Sequence, residues 1–170
     1  AHFDASDNMT DTFAALAALK DGVNAERDAL FSRFEARWRD EPLVLDKWFA
    51  LEALAERPDA LSRVQGLLAH PRFNARNPNR VRSLVGAFAL RNFARFHARE
   101  GEGYAFAADQ VLALDATNPQ LAATVAGAFN LWKRFAQPRR ALMEAALQRI
   151  AQAPGLSPDV TEVVTRTLTA

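Results

Sequence analysis

Pro42-Leu43-Val44-Leu45-Asp46-Lys47-Trp48-Phe49-Ala50-Leu51-Glu52-Ala53-Leu54 is the stretch on which the fold turns. Asp40-Glu41-Pro42 opens it, and a proline in the first turn gives up no hydrogen bond that a helix needs. From Leu43 to Leu54 apolar side chains fall on nearly every face. That pattern predicts a central helix, the most buried of the chain. Asp46-Lys47 nevertheless places two charges inside it. A helix edge facing water, an internal salt bridge and a contact with another domain all fit, so Asp46, Lys47 and Trp48 are interdomain or structural candidates.

Outward from this segment the helical period recurs almost everywhere. A first helix is expected from Thr10 to Lys20, with Phe13, Leu16, Ala17 and Leu19 inward, Asn8 or Thr10 as cap and Gly22 as stop. A second follows Asn24 and puts Leu30, Phe31, Phe34 and Trp38 on one face. Beyond the central helix, Ala60 to Ala69, Asn79 to Leu90, Tyr104 to Leu114, Gln120 to Phe135, Arg139 to Ala151 and Val160 to Leu168 read as helices. A short turn holds Phe93 and Phe96.

The composition agrees. Alanine supplies 35 of the 170 residues and leucine 20, against 10 valines and one isoleucine. Alanine and leucine lose little freedom in a helix, and a sheet protein would want more β-branched residues. The class is all-α, with roughly nine to ten helices. Helix starts fall about 15 to 20 residues apart, so pairs make units of the length of two-helix solenoid repeats. A stacked superhelix of antiparallel pairs and a compact bundle both satisfy that spacing.

No chemistry of bond breaking is visible. There is no cysteine, and the three histidines His2, His70 and His97 lack the spacing of a metal pair. His2 falls in an expected frayed tail, His70 at a helix end that suits a partial positive charge, and His97 where it packs or caps. No nucleophile elbow surrounds Ser83, and Gly101-Glu102-Gly103 lacks the sequence of a phosphate loop. Apolar runs are too short to span a membrane. No signal peptide opens the chain, and the expected location is cytoplasmic.

The charge pattern is uneven although the net charge is +1. Residues 71–99 hold seven arginines and no acid: Arg72, Arg76, Arg80, Arg82, Arg91, Arg95 and Arg99. Residues 1–70 carry a net −5. The arginines could pair with that acidic half, line a cavity that meets a carboxylate or a partner domain, or form a stripe for nucleic acid or an acidic protein. The last of these, a free-standing helical-repeat binding module, is the alternative functional reading. A salt-dependent affinity for DNA would favour it.

Four motifs then occur in order: Asn8-Met9-Thr10-Asp11 with its Ala-Leu run, Leu45-Asp46-Lys47-Trp48-Phe49, Asn77-Pro78-Asn79-Arg80-Val81-Arg82-Ser83-Leu84 and Asn118-Pro119-Gln120. They resemble the C-terminal helical domain of bacterial aminopeptidase N, the zinc alanyl aminopeptidase family of the gluzincin clan. The resemblance spans about residues 7 to 168. It implies residues 1–8 as a leader left by a cut in a parent chain, and 9–170 as one helical superhelix that covers the active-site cavity and controls access to it. It implies a zinc metallopeptidase as parent, in which metal-activated water attacks the first peptide bond. The His-Glu-x-x-His zinc motif would lie in the catalytic domain, so this piece should hold no zinc and should be inactive alone. The implied partners are that catalytic domain and peptide substrates, with no nucleic acid and no membrane. The resemblance points Arg82 into the cavity as a substrate-channel residue. It leaves Arg80 facing the domain body or a neighbour, with Asp46 as candidate partner. A second family arginine, four residues after Asn-Pro-Gln, is Thr124 here, which shifts carboxylate binding onto Arg82.

Overall fold

The computed structural model describes residues 8–170, and no strand occurs among them. The expected leader at 1–8 and the tail around His2 thus lie outside the described residues except for Asn8, which caps the first helix. The elements are α1 Met9–Leu19, α2 Ala25–Trp38, α3 Pro42–Ala53, α4 Ala60–Leu67, α5 Pro78–Val81, α6 Ala87–Arg91, α7 Phe93–Phe96, α8 Glu102–Asp115, α9 Pro119–Ala126, α10 Arg139–Ala151 and α11 Pro158–Thr169. A π-helical turn, Arg82–Gly86, joins α5 to α6, and two short 3-10 turns, Gly127–Phe129 and Trp132–Arg134, follow α9.

The helix starts are set by local chemistry. Asn8, Asn24, Asn118 and Ser157 each accept a backbone N–H in the first turn of the helix that they open, which satisfies donors the helix itself leaves free. Asn77 does the same for α5. Pro42, Pro78, Pro119 and Pro158 occupy the first helical position. Each helix then packs mainly on its neighbours in sequence: α1 on α2, α2 on α3, α3 on α4, α8 on α9 and α10, α10 on α11, with α9 also against α11. The π-helical turn lies against α3, and the first half of the chain meets the second where α7 packs on α8 and α6 on the Gly127–Phe129 turn. Neighbour-on-neighbour stacking is the geometry of a helical solenoid, with one continuous apolar cluster from Leu16 to Val164.

Several expectations need correction. α3 buries Leu45, Trp48, Phe49 and Leu51, yet Leu43 is 72% exposed. It is not the most buried helix, because α8 buries Tyr104, Phe106, Ala107, Ala108, Val111 and Leu114 along a longer face. Leu19, expected inward, lies in the last turn of α1 and is 42% exposed. The expected helix from Gln120 to Phe135 stops at Ala126. There Gly127 weakens the helix. The chain is then drawn onto α11, where Trp132 Nε1 donates to the Thr167 carbonyl at 2.9 Å and Thr167 donates to Asn130 Oδ1 at 2.9 Å. The helix expected at Asn79 to Leu90 is continuous, but a π turn interrupts its α geometry.

The start of α8 depends on two glycines. Gly101 has φ +75, a left-handed conformation that side-chain-bearing residues rarely adopt. Gly103 faces the backbone of α7, where an added Cβ would stand 2.5 Å from the Phe96 carbonyl oxygen and 3.0 Å from its Cα. Gly103→Ala should therefore lower stability by about 1–3 kcal/mol, because overpacking against backbone outweighs the better helix propensity of alanine. Urea unfolding checks this, and a stabilised variant would contradict the close approach.

Candidate functional site

The Asn77-Pro78-Asn79-Arg80-Val81-Arg82 motif folds as a cap, a short helix and the first residue of the π turn. Its two arginines part company. Arg80 is 5% exposed, whereas Arg82 is exposed. Successive helical residues turn by about 100°, so positions two apart face nearly opposite ways. Arg80 goes inward onto α3: its Nη1 lies 3.0 Å from Asp46 Oδ1, and its guanidinium sits 5.1 Å from the Phe49 ring centre. The charges touch without lining up as a hydrogen bond, and Arg80 Nε also lacks one. Burial pulls the Arg80 guanidinium below its ordinary value, against Asp46, with the Arg72 charge adding to the fall.

Arg82 projects from the same helix with one long contact, Nη1 to Asn79 Oδ1 at 3.5 Å. Its terminal nitrogens form a planar donor fork suited to a carboxylate. Ser83 is turned back on the helix, its hydroxyl donating to the Asn79 carbonyl at 2.7 Å. Thr124 is exposed on α9, its hydroxyl donating to the Gln120 carbonyl at 2.8 Å.

The remaining candidates separate. Lys47 is exposed, its ammonium 5.8 Å from the Phe13 ring, while Trp48 is buried and donates from Nε1 to the Phe31 carbonyl at 3.0 Å. Thus Asp46 and Arg80 come together, and Lys47, Trp48 and Arg82 each face elsewhere. Within the basic segment, Arg72 pairs with Asp40 and Arg95 Nε donates to the Glu56 carbonyl at 2.7 Å. With Arg80 on Asp46, three of the seven arginines therefore bind groups of the acidic first half.

The described histidines are both held neutral. Burial pushes His97 down from 6.5 to about 4, with the Arg139 charge adding to the fall. Burial also lowers His70 despite Glu35, with Arg39 and Arg80 reinforcing the fall. His70 Nδ1 accepts the Arg72 backbone N–H at 3.1 Å, so the expected positive charge at this helix end gives way to a neutral, packed ring. The folded chain binds fewer protons than the unfolded chain between the ordinary histidine value and the lowered one, so stability falls as pH falls through that window. For His97 the window runs from 6.5 to about 4, with no further loss from this group below it. The loss should be roughly 2 kcal/mol, allowing for part exposure of the ring. Urea midpoints at both ends of the window measure it. His97→Gln should flatten the slope, and a chain that gains stability on acidification would contradict the sign.

No group of three or more histidine and carboxylate side chains able to hold a metal occurs among the described residues. His70 meets Glu35 at 3.4 Å with no third ligand, and His97 turns its Nδ1 to Tyr104. The described residues do not fit a zinc centre. No helix among them is long and apolar enough to cross a membrane.

Residues 1–169 match the family described as "Domain of unknown function (DUF3458_C) ARM repeats". The chain belongs to this family. The ARM-repeat domain is 44% identical to aminopeptidase N of Caulobacter vibrioides over 167 residues, covering 98% of this chain and 19% of that relative. Aminopeptidase N of Haemophilus influenzae is 41% identical, also over 98% of this chain and 19% of its own length. The Escherichia coli protein of the same name is 40% identical over 98% of this chain and 19% of its own length. A crystal structure of Legionella pneumophila aminopeptidase A in complex with aspartic acid superposes with a TM-score of 0.90 at 34% identity. It covers 99% of this chain and 20% of that one. The ARM-repeat domain therefore spans about a fifth of the length of the relatives it matches.

Two features carried no signal in the sequence reading. One is the ion network around Glu52, whose acid stands in the same apolar helix as Asp46. The other is the His97–Tyr104 pair, which joins residues seven apart across the α7–α8 turn.

Proposed function

We propose that this chain works as the C-terminal domain of a zinc-dependent aminopeptidase, residues 9–170 forming one unit that covers the active-site cavity and limits which peptides enter. The observation that carries the reading is Arg82: an exposed guanidinium on a helix whose neighbour Arg80 is locked inward by Asp46 and Phe49. The near-complete match of this chain to a fifth of aminopeptidase N supports a parent of that kind. In this reading the bond chemistry belongs to the catalytic domain of the same parent, which also holds the zinc, and this domain alone is inactive. Peptides from which the parent removes N-terminal residues are the substrates, and the setting is cytoplasmic. Arg82 meets the far carboxylate or backbone of a bound peptide.

The test uses the full-length parent. Arg82→Ala should lower kcat/KM for peptides by about 1–3 kcal/mol, the worth of one charge-assisted contact, and leave small aminoacyl anilides nearly unchanged. An anilide presents no distant carboxylate to this wall. An equal fall for both would make Arg82 a folding residue, and no change in either would remove it from the cavity.

A further inference from the structure

A second feature lies apart from Arg82. Phe93 and Ala94 of α7, His97 at its end, Phe135 and Arg139 at the start of α10 line an open hollow of about 280 Å³. Its walls are flat. The His97 ring stacks on Phe135 at 4.3 Å and meets Phe93 at 4.5 Å, and Phe93 is 69% exposed. A phenylalanine so open to water on a ring-lined hollow offers a face for another flat apolar group.

The polar side chains that line the pocket are His97 and Arg139. Tyr104 is 1% exposed, and its hydroxyl finds its partner in His97 Nδ1 at 2.9 Å. A buried phenol must place its proton on an acceptor. The Tyr104 proton therefore goes to Nδ1, and the neutral imidazole carries its own hydrogen on Nε2. Burial raises the Tyr104 phenol and lowers His97, which keeps both groups in those forms at neutral pH. Arg139 Nε donates to the His97 carbonyl at 2.7 Å, which fixes the guanidinium plane. Among the described residues Arg139 hydrogen-bonds through Nε, and its two terminal nitrogens remain for a ligand. No carboxylate lines the pocket.

We infer that this pocket binds a small carboxylate carried on a flat apolar body, with the carboxylate on the Arg139 fork and the body against Phe93 and Phe135. A planar guanidinium takes a carboxylate through two parallel hydrogen bonds. The volume lies near the lower end for ligand sites and suits one ring with a short acid arm. With donors alone at the polar end, an ammonium group finds no counter-charge, so a free amino acid fits worse than an acid without an amino group or with an acylated one. Two sources share that chemistry, a free aryl-alkyl acid and the C-terminal residue of a peptide.

The probes are 3-phenylpropionate, N-acetylphenylalanine, its C-terminal amide and acetate, each titrated into the protein with labelled histidine while the imidazole resonances are followed. Saturable shifts of His97, without matching shifts of His70, are expected for the first two. Binding should weaken by about tenfold or more in Arg139→Gln, which removes the charged fork. Phe93→Ser, at a site too exposed to govern folding, should weaken it as well. Tighter binding of N-acetylphenylalanine assigns the site to a peptide C-terminus, and tighter binding of 3-phenylpropionate to a free acid. Equal response to the amide, equal response to acetate, or unchanged affinity in both variants overturns the inference.

Discussion

Glu52→Ala should cost about 3–5 kcal/mol of stability, because it leaves a buried guanidinium with only the part-exposed Asp28 as counter-charge. Arg27 is 1% exposed and Glu52 3%. The two meet in a fork, Nη2 to Oε2 at 2.7 Å and Nη1 to Oε1 at 3.1 Å, with the guanidinium 3.5 Å from the Phe31 ring centre. Arg63 approaches Glu52 Oε2 at 3.4 Å, and Asp28 accepts from Arg27 at 3.1 Å and from Arg57 at 3.2 Å. The network ties α2, α3 and α4 together at charges taken out of water. Removing one partner is costly, but removing both need not be, since well-packed apolar replacements of a buried ion pair are often neutral. The double variant Arg27→Met with Glu52→Leu should therefore recover much of the loss. Urea unfolding of the three variants forms the test. A loss under 1 kcal/mol in Glu52→Ala, or simple additivity in the double variant, would mean that the pair is not a desolvated unit.

Phe49→Ala should cost about as much, roughly 3–5 kcal/mol, the range for emptying a fully buried phenylalanine site. Phe49 has no exposure. Its ring meets Trp48 at 5.1 Å, His70 at 5.3 Å and Phe73 at 6.2 Å, all near edge-on, with Arg80 over its face at 5.1 Å. The cavity would open directly beneath the arginine whose inward lock sends Arg82 outward. Leu43→Ala, in the same helix but at 72% exposure, is the control and should cost well under 1 kcal/mol. A denaturant titration that ranks Leu43 with Phe49 would contradict the orientation of α3.

What could be read from the sequence divides along physical lines. Helix starts were legible because they rest on single residues acting locally: Asn24, Pro42, Pro78, Asn118-Pro119 and Ser157-Pro158 all do at the backbone what their types suggest. Helix ends were less so. Gly127 alone marks the break after Ala126 locally, and the hold of Trp132 and Asn130 on α11 that completes it runs to Thr167, about 35 residues away. The π turn at Arg82–Gly86 left no mark in the hydrophobic period, since residues 84–89 are all buried and leave no polar face whose shift could show it. At the site, two charges inside an apolar helix pointed to Asp46, and Arg80 meets it. Glu52 escaped notice in the same helix because its partner Arg27 sits 25 residues upstream in a segment that reads as an ordinary amphipathic helix.

In the proposed reading this chain is the covering domain of a larger peptidase. The length of the native polypeptide tests it most directly, read from the open reading frame around this sequence and from the intact mass of the purified protein. The account predicts a chain about five times as long as these 170 residues, in keeping with the 19% of aminopeptidase N that they match, with a His-Glu-x-x-His segment upstream. A reading frame that begins and ends with this domain, yielding a protein of 18.8 kDa, would contradict it.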